Sequence, residues 1–301
     1  MSPTVQATIN YLRADAGGAK VSMITGKLVD ENVNPFVSTI EQIRDCRTDS
    51  QKPDFDLSGW TWAEIEPIKL KSDDRPSHSS VKSVEGMIQH LTDAKRVQVF
   101  DSAVRRVEKV DQTPDIGRDS TLKTPQAVQL AHCDYTNISG RACLERNTDW
   151  DLSQGRFLIV NVWIPLSHAV TNPPLAIGVP VNRRDFHIGE CQLIYAERTG
   201  LMNLVKDSSA LQWNYVGSLN IDEALIFKTF DSTPDELDAK LVKSWPRVDE
   251  ERDDDAEQRS QHQQREALGQ PMEKNVLKSL PFGNRHHRLS GGARHFDRRG
   301  L

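Results

Sequence analysis

Cysteine is scarce in this chain. Its four copies, Cys46, Cys133, Cys143 and Cys191, stand far apart with no C-x-x-C pair. That spacing excludes a disulfide framework and reads as reduced thiols in an intracellular protein. Long apolar runs are missing too. No stretch approaches the roughly eighteen apolar residues of a membrane span, and Met1-Ser2-Pro3-Thr4-Val5-Gln6 lacks the basic and then apolar character of a secretory leader. The net charge of −5 is small and negative, so it gives no field that would gather nucleic acid. Apolar residues make up 37%, below the roughly 45–50% of globular chains, and the deficit is concentrated at the C-terminal end. These absences predict a cytoplasmic protein with neither a nucleic-acid nor a membrane partner.

What is present suffices for one sizeable core in 301 residues. The spacing predicts a strand pair over 5–12 and 20–28, turning at Gly17-Gly18. Gly59-Trp60-Thr61-Trp62 places two tryptophans at strand spacing, where Trp more often fills a core than binds a ligand. Val81, Val84, Met87, Ile88 and Leu91 recur at helical spacing over 80–91, and Val97-Gln98-Val99-Phe100 follows as a strand. Residues 111–125, with Pro114, Gly117 and Pro125, read as a long loop, either a lid or a surface excursion.

From 129 to 231 short strands alternate with turns, the pattern of a barrel or sandwich. The run from Phe157 to Ile164 predicts a strand buried on both faces, interrupted by Asn161. A buried amide needs partners, so Asn161 either binds backbone or points into a site. Thr233-Pro234-Asp235-Glu236 has the form of an N-cap, a first-turn proline and a capping box, which predicts a helix. After Trp245 the composition changes to acidic, Gln-rich and then Arg/His/Gly-rich blocks. Apart from a short apolar patch near Val276 to Phe282, such blocks bury too little apolar surface to offset their ordering entropy. The expected organisation is a domain over 1–246 and a mostly disordered tail over 247–301. Charge runs of this kind are usually solvated, and an interaction module is the alternative reading.

The segment His132-Cys133-Asp134-Tyr135-Thr136 carries the chemistry. An imidazole and a carboxylate two residues apart project to one side of an extended segment. They can therefore share a metal ion, and one more histidine would complete a facial triad with open positions. The same spacing recurs at His295-Phe296-Asp297, but in the Gly/Arg-rich tail and not between strands.

Several segments in order along the chain together resemble a known family. They are Ala7-Thr8-Ile9-Asn10-Tyr11-Leu12, Ile43-Arg44-Asp45-Cys46-Arg47, Phe100-Asp101-Ser102-Ala103-Val104-Arg105-Arg106, and the His132 segment. Then come Gly155-Arg156-Phe157, Asn161-Val162-Trp163-Ile164-Pro165-Leu166, Pro174-Leu175-Ala176, Trp213-Asn214-Tyr215, and Asp222-Glu223-Ala224-Leu225-Ile226-Phe227-Lys228-Thr229-Phe230-Asp231-Ser232. This order is similar to the fungal gibberellin-desaturase-like family, which includes aspergillic-acid-type hydroxylase/desaturases and an endoperoxide-forming enzyme of meroterpenoid biosynthesis. The resemblance implies a mainly β fold with flanking helices around a double-stranded β-helix (jelly-roll) core. It also implies hydroxylation or desaturation of a small fungal secondary metabolite with iron(II), 2-oxoglutarate and dioxygen.

Carried over, His132 and Asp134 match the first two iron ligands, and binding there weakens as pH falls because both groups must be deprotonated. The chain departs from the family twice. No histidine follows Ser232 until His262, where the family places its second ligand histidine shortly after this segment. Ile164 stands where members often carry Arg. Arg156, at even spacing on the same strand, and Asn161 are then the candidates for binding the co-substrate. His168, His187, His262, His286, His287 and His295 read as solvated side chains. The alternative is a catalytically impaired or metal-free member that binds a metabolite or a partner.

Overall fold

A computed structural model describes residues 3–24, 27–30, 34–106, 130–153, 155–170, 174–181, 187–206 and 210–233, together with the backbone of two short later strands. In chain order the elements are β1 (Thr4–Leu12), β2 (Gly18–Ser22), β3 (Lys27–Leu28), β4 (Phe36–Asp45), α1 (Phe55–Ser58), β5 (Trp60–Glu64), α2 (His78–Thr92), β6 (Ala103–Arg106) and β7 (His132–Cys133). There follow α3 (Asn137–Asn147), β8 (Leu158–Pro165), β9 (Ala176–Pro180), β10 (Ile188–Ile194), β11 (Thr199–Val205), β12 (Leu211–Tyr215), β13 (Glu223–Asp231), β14 (Val242–Ser244) and β15 (Asn275–Lys278).

The strands form two sheets. A ten-stranded sheet runs β1-β4-β12-β9-β14-β7-β11-β10-β2-β3, and a five-stranded sheet runs β5-β13-β8-β15-β6. The main apolar core lies between them. Trp60, Trp62, Trp163, Leu225 and Phe227 from the smaller sheet meet Ile177 from the larger and Val216 just after β12. Side chains alternate across a strand, so β8 gives Ile159, Asn161 and Trp163 to this core and Leu158, Val160, Val162 and Ile164 to its outer face. On that outer face Ile164 packs with Val84 and Ile88 of α2. This is the double-stranded β-helix expected from the sequence, mainly β with flanking helices.

The long-range pairs explain several of the sequence segments. Trp213 Nε1 donates to Tyr11 Oη at 2.7 Å, and Tyr11 Oη donates to Glu41 at 2.8 Å. Arg47 grips Glu223 at 2.6 and 2.8 Å and also donates to the carbonyl of Gly217. Asp45 Oδ1 accepts from the backbone N–H of Gly217 at 2.9 Å. A Cβ at Gly217 would stand 2.3 Å from the Asp45 carboxylate, so glycine is required there.

The structure corrects three expectations. Strands β1 and β2 do not form a hairpin: β1 pairs with β4, and β2 runs parallel to β10. Residues 97–100 join no strand; the Val99 N–H, which a ladder would use, donates to Glu85 Oε1, and the Gln98 side chain reaches the carbonyl of Asn147. β8 is buried along its core face but only at Ile164 on its outer face, since α2 covers that face incompletely and leaves Leu158, Val160 and Val162 half-buried. The helix expected after Thr233 and the loop over 111–125 lie outside the described residues. So does the tail over 247–301, except the backbone of β15, where the apolar patch at Val276 pairs with β8 and β6.

Candidate metal centre

β7 delivers His132 to the inside of the larger sheet, held by β11 on one side and by β14 on the other, where Lys243 is the register partner of His132. Three residues on, the chain turns into α3. Thr136 caps that helix: its side chain accepts from the Ser139 N–H, and the Ser139 side chain accepts from the Thr136 N–H. The reciprocal cap fixes the exit of the segment. Asn203 Nδ2 binds the Tyr135 carbonyl at 3.1 Å. Gly140 lets α3 approach β13 closely, since a Cβ there would lie 2.2 Å from the Phe230 ring. The ends of His132–Thr136 are therefore set by backbone and packing, which leaves its two polar side chains to face each other.

His132 Nδ1 lies 2.6 Å from the Leu130 carbonyl oxygen. A carbonyl only accepts, so Nδ1 carries the hydrogen, and in the neutral form of the ring it is Nε2 that presents a lone pair. Nε2 stands 3.5 Å from Asp134 Oδ1, and each side chain is only 6% exposed. That separation is too long for a hydrogen bond. It does suit two donors sharing one cation, each at about 2.0–2.2 Å from it. Asn161 Nδ2 donates to the other carboxylate oxygen, Asp134 Oδ2, at 2.7 Å. The amide holds the carboxylate so that Oδ1 faces the imidazole, the outer-shell arrangement that metal-binding carboxylates use. His132, Asp134 and Asn161 thus fit a divalent ion in donor type, protonation and orientation. Among the described residues no third His, Cys, Asp or Glu joins them. His168 binds Ser167 instead, and His78, His90 and His187 are exposed.

The remaining candidates fall elsewhere. Arg156 precedes β8 on its outer face and grips Asp231 with Nε at 2.9 and 3.1 Å and with Nη2. The Asp231 side chain is fully buried, and Lys228 Nζ approaches it to 3.9 Å. Arg156 is therefore not brought to the His132–Asp134 pair. Ile164 is buried on the same outer face, so its aliphatic side chain takes no cation away from the pair. Asn161 does reach the site, through Asp134. Tyr135 turns away to Cys143 Sγ at 3.5 Å, and burial holds its phenol well above the usual range. The Leu130 carbonyl and the Thr136–Ser139 cap were not legible in the sequence. A carbonyl is common to every residue, and Ser at the third helical position departs from the usual Glu/Gln signature.

Comparisons with known proteins bear on the family and the fold. The chain is 23% identical over 248 residues to "Oxidoreductase AN1597" of Emericella nidulans, covering 75% of this chain and 83% of that protein. It is 24% identical over 258 residues to "Hydroxylase/desaturase efuI" of Hormonema carpetanum, covering 78% and 85%. Among solved structures, the iron and alpha-ketoglutarate-dependent endoperoxidase NvfI shares the fold with a TM-score of 0.65 at 16% identity, over 91% of this chain and 96% of that one. No helix among the described residues is long and apolar enough to cross a membrane. The sequence model of one family matches residues 9–265, a span that runs from within β1 through β14 and contains the whole His132–Asp134 site, and this chain belongs to that family, the oxidoreductase/YMDC permease-like domain.

Proposed function

We propose that this protein is a cytoplasmic oxidoreductase that hydroxylates or desaturates a small organic metabolite in fungal secondary metabolism. It uses iron(II), 2-oxoglutarate and dioxygen, with His132 and Asp134 as two of the iron ligands. The observation that carries the reading is the buried pair itself: an imidazole, bonded through Nδ1 to the Leu130 carbonyl, whose Nε2 faces a carboxylate oxygen at 3.5 Å inside a double-stranded β-helix. The curated relatives named as an oxidoreductase and a hydroxylase/desaturase, and the iron-dependent enzyme that shares the fold, support it.

The bound iron would supply the oxidising chemistry, leaving the protein to bind and to position. The Leu130 carbonyl holds the His132 proton on Nδ1, so in the neutral ring Nε2 is the nitrogen offered to a metal. Asn161 keeps one Asp134 oxygen occupied, which favours single-oxygen binding through Oδ1. Burial of both donors excludes bulk water and strengthens their hold on a cation.

Anaerobic titration with iron(II) should give one site per chain in the wild type and none in His132→Ala or Asp134→Ala. Oxygen-dependent formation of succinate from 2-oxoglutarate should follow the same pattern. Stoichiometric iron binding that survives both substitutions would overturn the assignment. The second reading, a metal-free member that binds a metabolite or a partner, is favoured by the two-donor set among the described residues. It predicts a folded wild type that neither takes up iron nor forms succinate.

A further inference from the structure

Tyr11 and Trp213 are both fully buried, and they share one apolar cluster with Cys133, the residue between the two metal donors. The Trp213 indole donates to Tyr11 Oη at 2.7 Å, and Tyr11 Oη donates to Glu41 Oε1 at 2.8 Å. The two rings meet edge to face with centroids 6.5 Å apart. Glu41 is half-buried, so this chain of hydrogen bonds starts in the core and ends at solvent.

A phenol gives up an electron readily only when a base stands ready for its proton. A hydrogen-bond donor then steadies the oxygen radical left behind, and burial keeps water from it. Tyr11 has both partners, Glu41 as the base and Trp213 as the donor. The other three tyrosines of the chain lack that combination. Tyr135 meets the Cys143 sulfur at 3.5 Å. The ring of Tyr195 lies 3.7 Å from the Arg198 guanidinium, whose charge opposes loss of an electron. Tyr215 shares Asp45 with the backbone N–H groups of Arg47 and Gly217.

Strand register leads from this trio to the metal pair. Trp213 is the partner of Gly178 and Gly178 of Val242, while the next residue, Lys243, is the partner of His132. Three strand spacings separate the backbones of Trp213 and the His132 segment, about 14 Å. An electron crosses such a distance through packed protein quickly on the timescale of enzyme turnover.

We infer that Trp213, Tyr11 and Glu41 form a one-electron relay. It drains oxidising equivalents from the His132–Asp134 centre when dioxygen is activated there with no substrate to oxidise. The source of the equivalents rests on the iron reading; the redox character of Tyr11 does not. In the step the Tyr11 O–H bond breaks. Its proton moves to Glu41 Oε1, and its electron passes through Trp213 to the oxidant, which is reduced by one electron. A small enediol reductant such as ascorbate returns the electron, and Glu41 returns the proton.

Flash photo-oxidation of the metal-free full chain, with ruthenium tris-bipyridine and a cobalt(III) pentaammine acceptor, tests the relay without iron. Freezing and electron paramagnetic resonance should show a tyrosyl radical that narrows with ring-deuterated tyrosine and is lost in Tyr11→Phe. Glu41→Gln keeps the shape of the hydrogen bond but takes no proton, so it should lose the radical too. It decides the matter should Tyr11→Phe fail to fold. The chain loaded with iron(II) and 2-oxoglutarate should give the same radical on exposure to dioxygen, and Glu41→Gln should inactivate after fewer turnovers, counted as succinate. No light-induced tyrosyl radical in the wild type, or one that persists in these variants, would overturn the inference. So would an iron-loaded chain whose radical and lifetime are the same in wild type and Glu41→Gln. A light-induced Tyr11 radical in a chain that takes up no iron would sink the iron reading alone and uphold the redox-active tyrosine.

Discussion

Two side chains on opposite faces of one strand separate chemistry from scaffold. Asn161 faces the core and binds Asp134 Oδ2, so its removal leaves a buried carboxylate oxygen without that donor and free to rotate away from His132. Asn161→Ala should lower iron(II) affinity about 10–100-fold, as for other outer-shell partners of metal ligands, read by anaerobic titration. Arg156 lies on the other face and neutralises Asp231, whose side chain is fully buried. Because the guanidinium is itself 45% exposed, Arg156→Ala should cost about 2 kcal/mol of unfolding free energy, less than a fully buried pair. It should leave iron(II) affinity and the KM for 2-oxoglutarate unchanged. A raised KM with no loss of stability would return Arg156 to the role of co-substrate anchor. Asn161 was visible in the sequence as a polar break in an apolar run. The partner of Arg156 was not, because it depends on the register of β13 against β8, which shifts between Lys228 and Phe230.

At the level of elements, much of the family resemblance proves to be fastening. Arg47, just after β4, and Glu223, the first residue of β13, come from two separate matching segments and form one ion pair that ties the larger sheet to the smaller. The Arg47 hydrogen bonds hold the Glu223 carboxyl below its ordinary value. A depressed carboxylate contributes stability above its unfolded pKa and loses it as pH falls through the folded one. Urea unfolding should accordingly find wild type more stable than Glu223→Gln at neutral pH, by about 1 kcal/mol or less for so accessible a pair. The gap should close on acidification below the usual glutamate range; a gap that persists at pH 3 would contradict the pairing. The helix over 80–91 was legible because its apolar residues follow one period, and the strand at 157–164 because it is a short, nearly continuous apolar run. The hairpin at Gly17-Gly18 misled because a turn signal says the chain bends, not which strand it next meets.

For the whole molecule, two sheets wrapped around one core leave all four thiols buried and unpaired with each other. Burial pushes Cys46 and Cys191 up to about 12, and it also raises Cys143. A thiol reacts as its thiolate, so the native protein should resist iodoacetamide at pH 8. All four cysteines should label in urea, counted by intact mass. Rapid labelling of Cys46 or Cys191 in the folded state would mean that the core opens locally.

The order of its segments determined by itself that this chain rolls into a double-stranded β-helix and that His132 and Asp134 stand side by side. The fold followed from the resemblance carried by that order of segments, and the pairing of His132 with Asp134 from a short-range rule, the two-residue return of side chains to one face of an extended segment. Tertiary structure alone decided that Asn161 serves Asp134 and that Arg156 is committed to Asp231. Those facts depend on which strands neighbour one another and in what register, and distant parts of the chain set both together through the packing of the core.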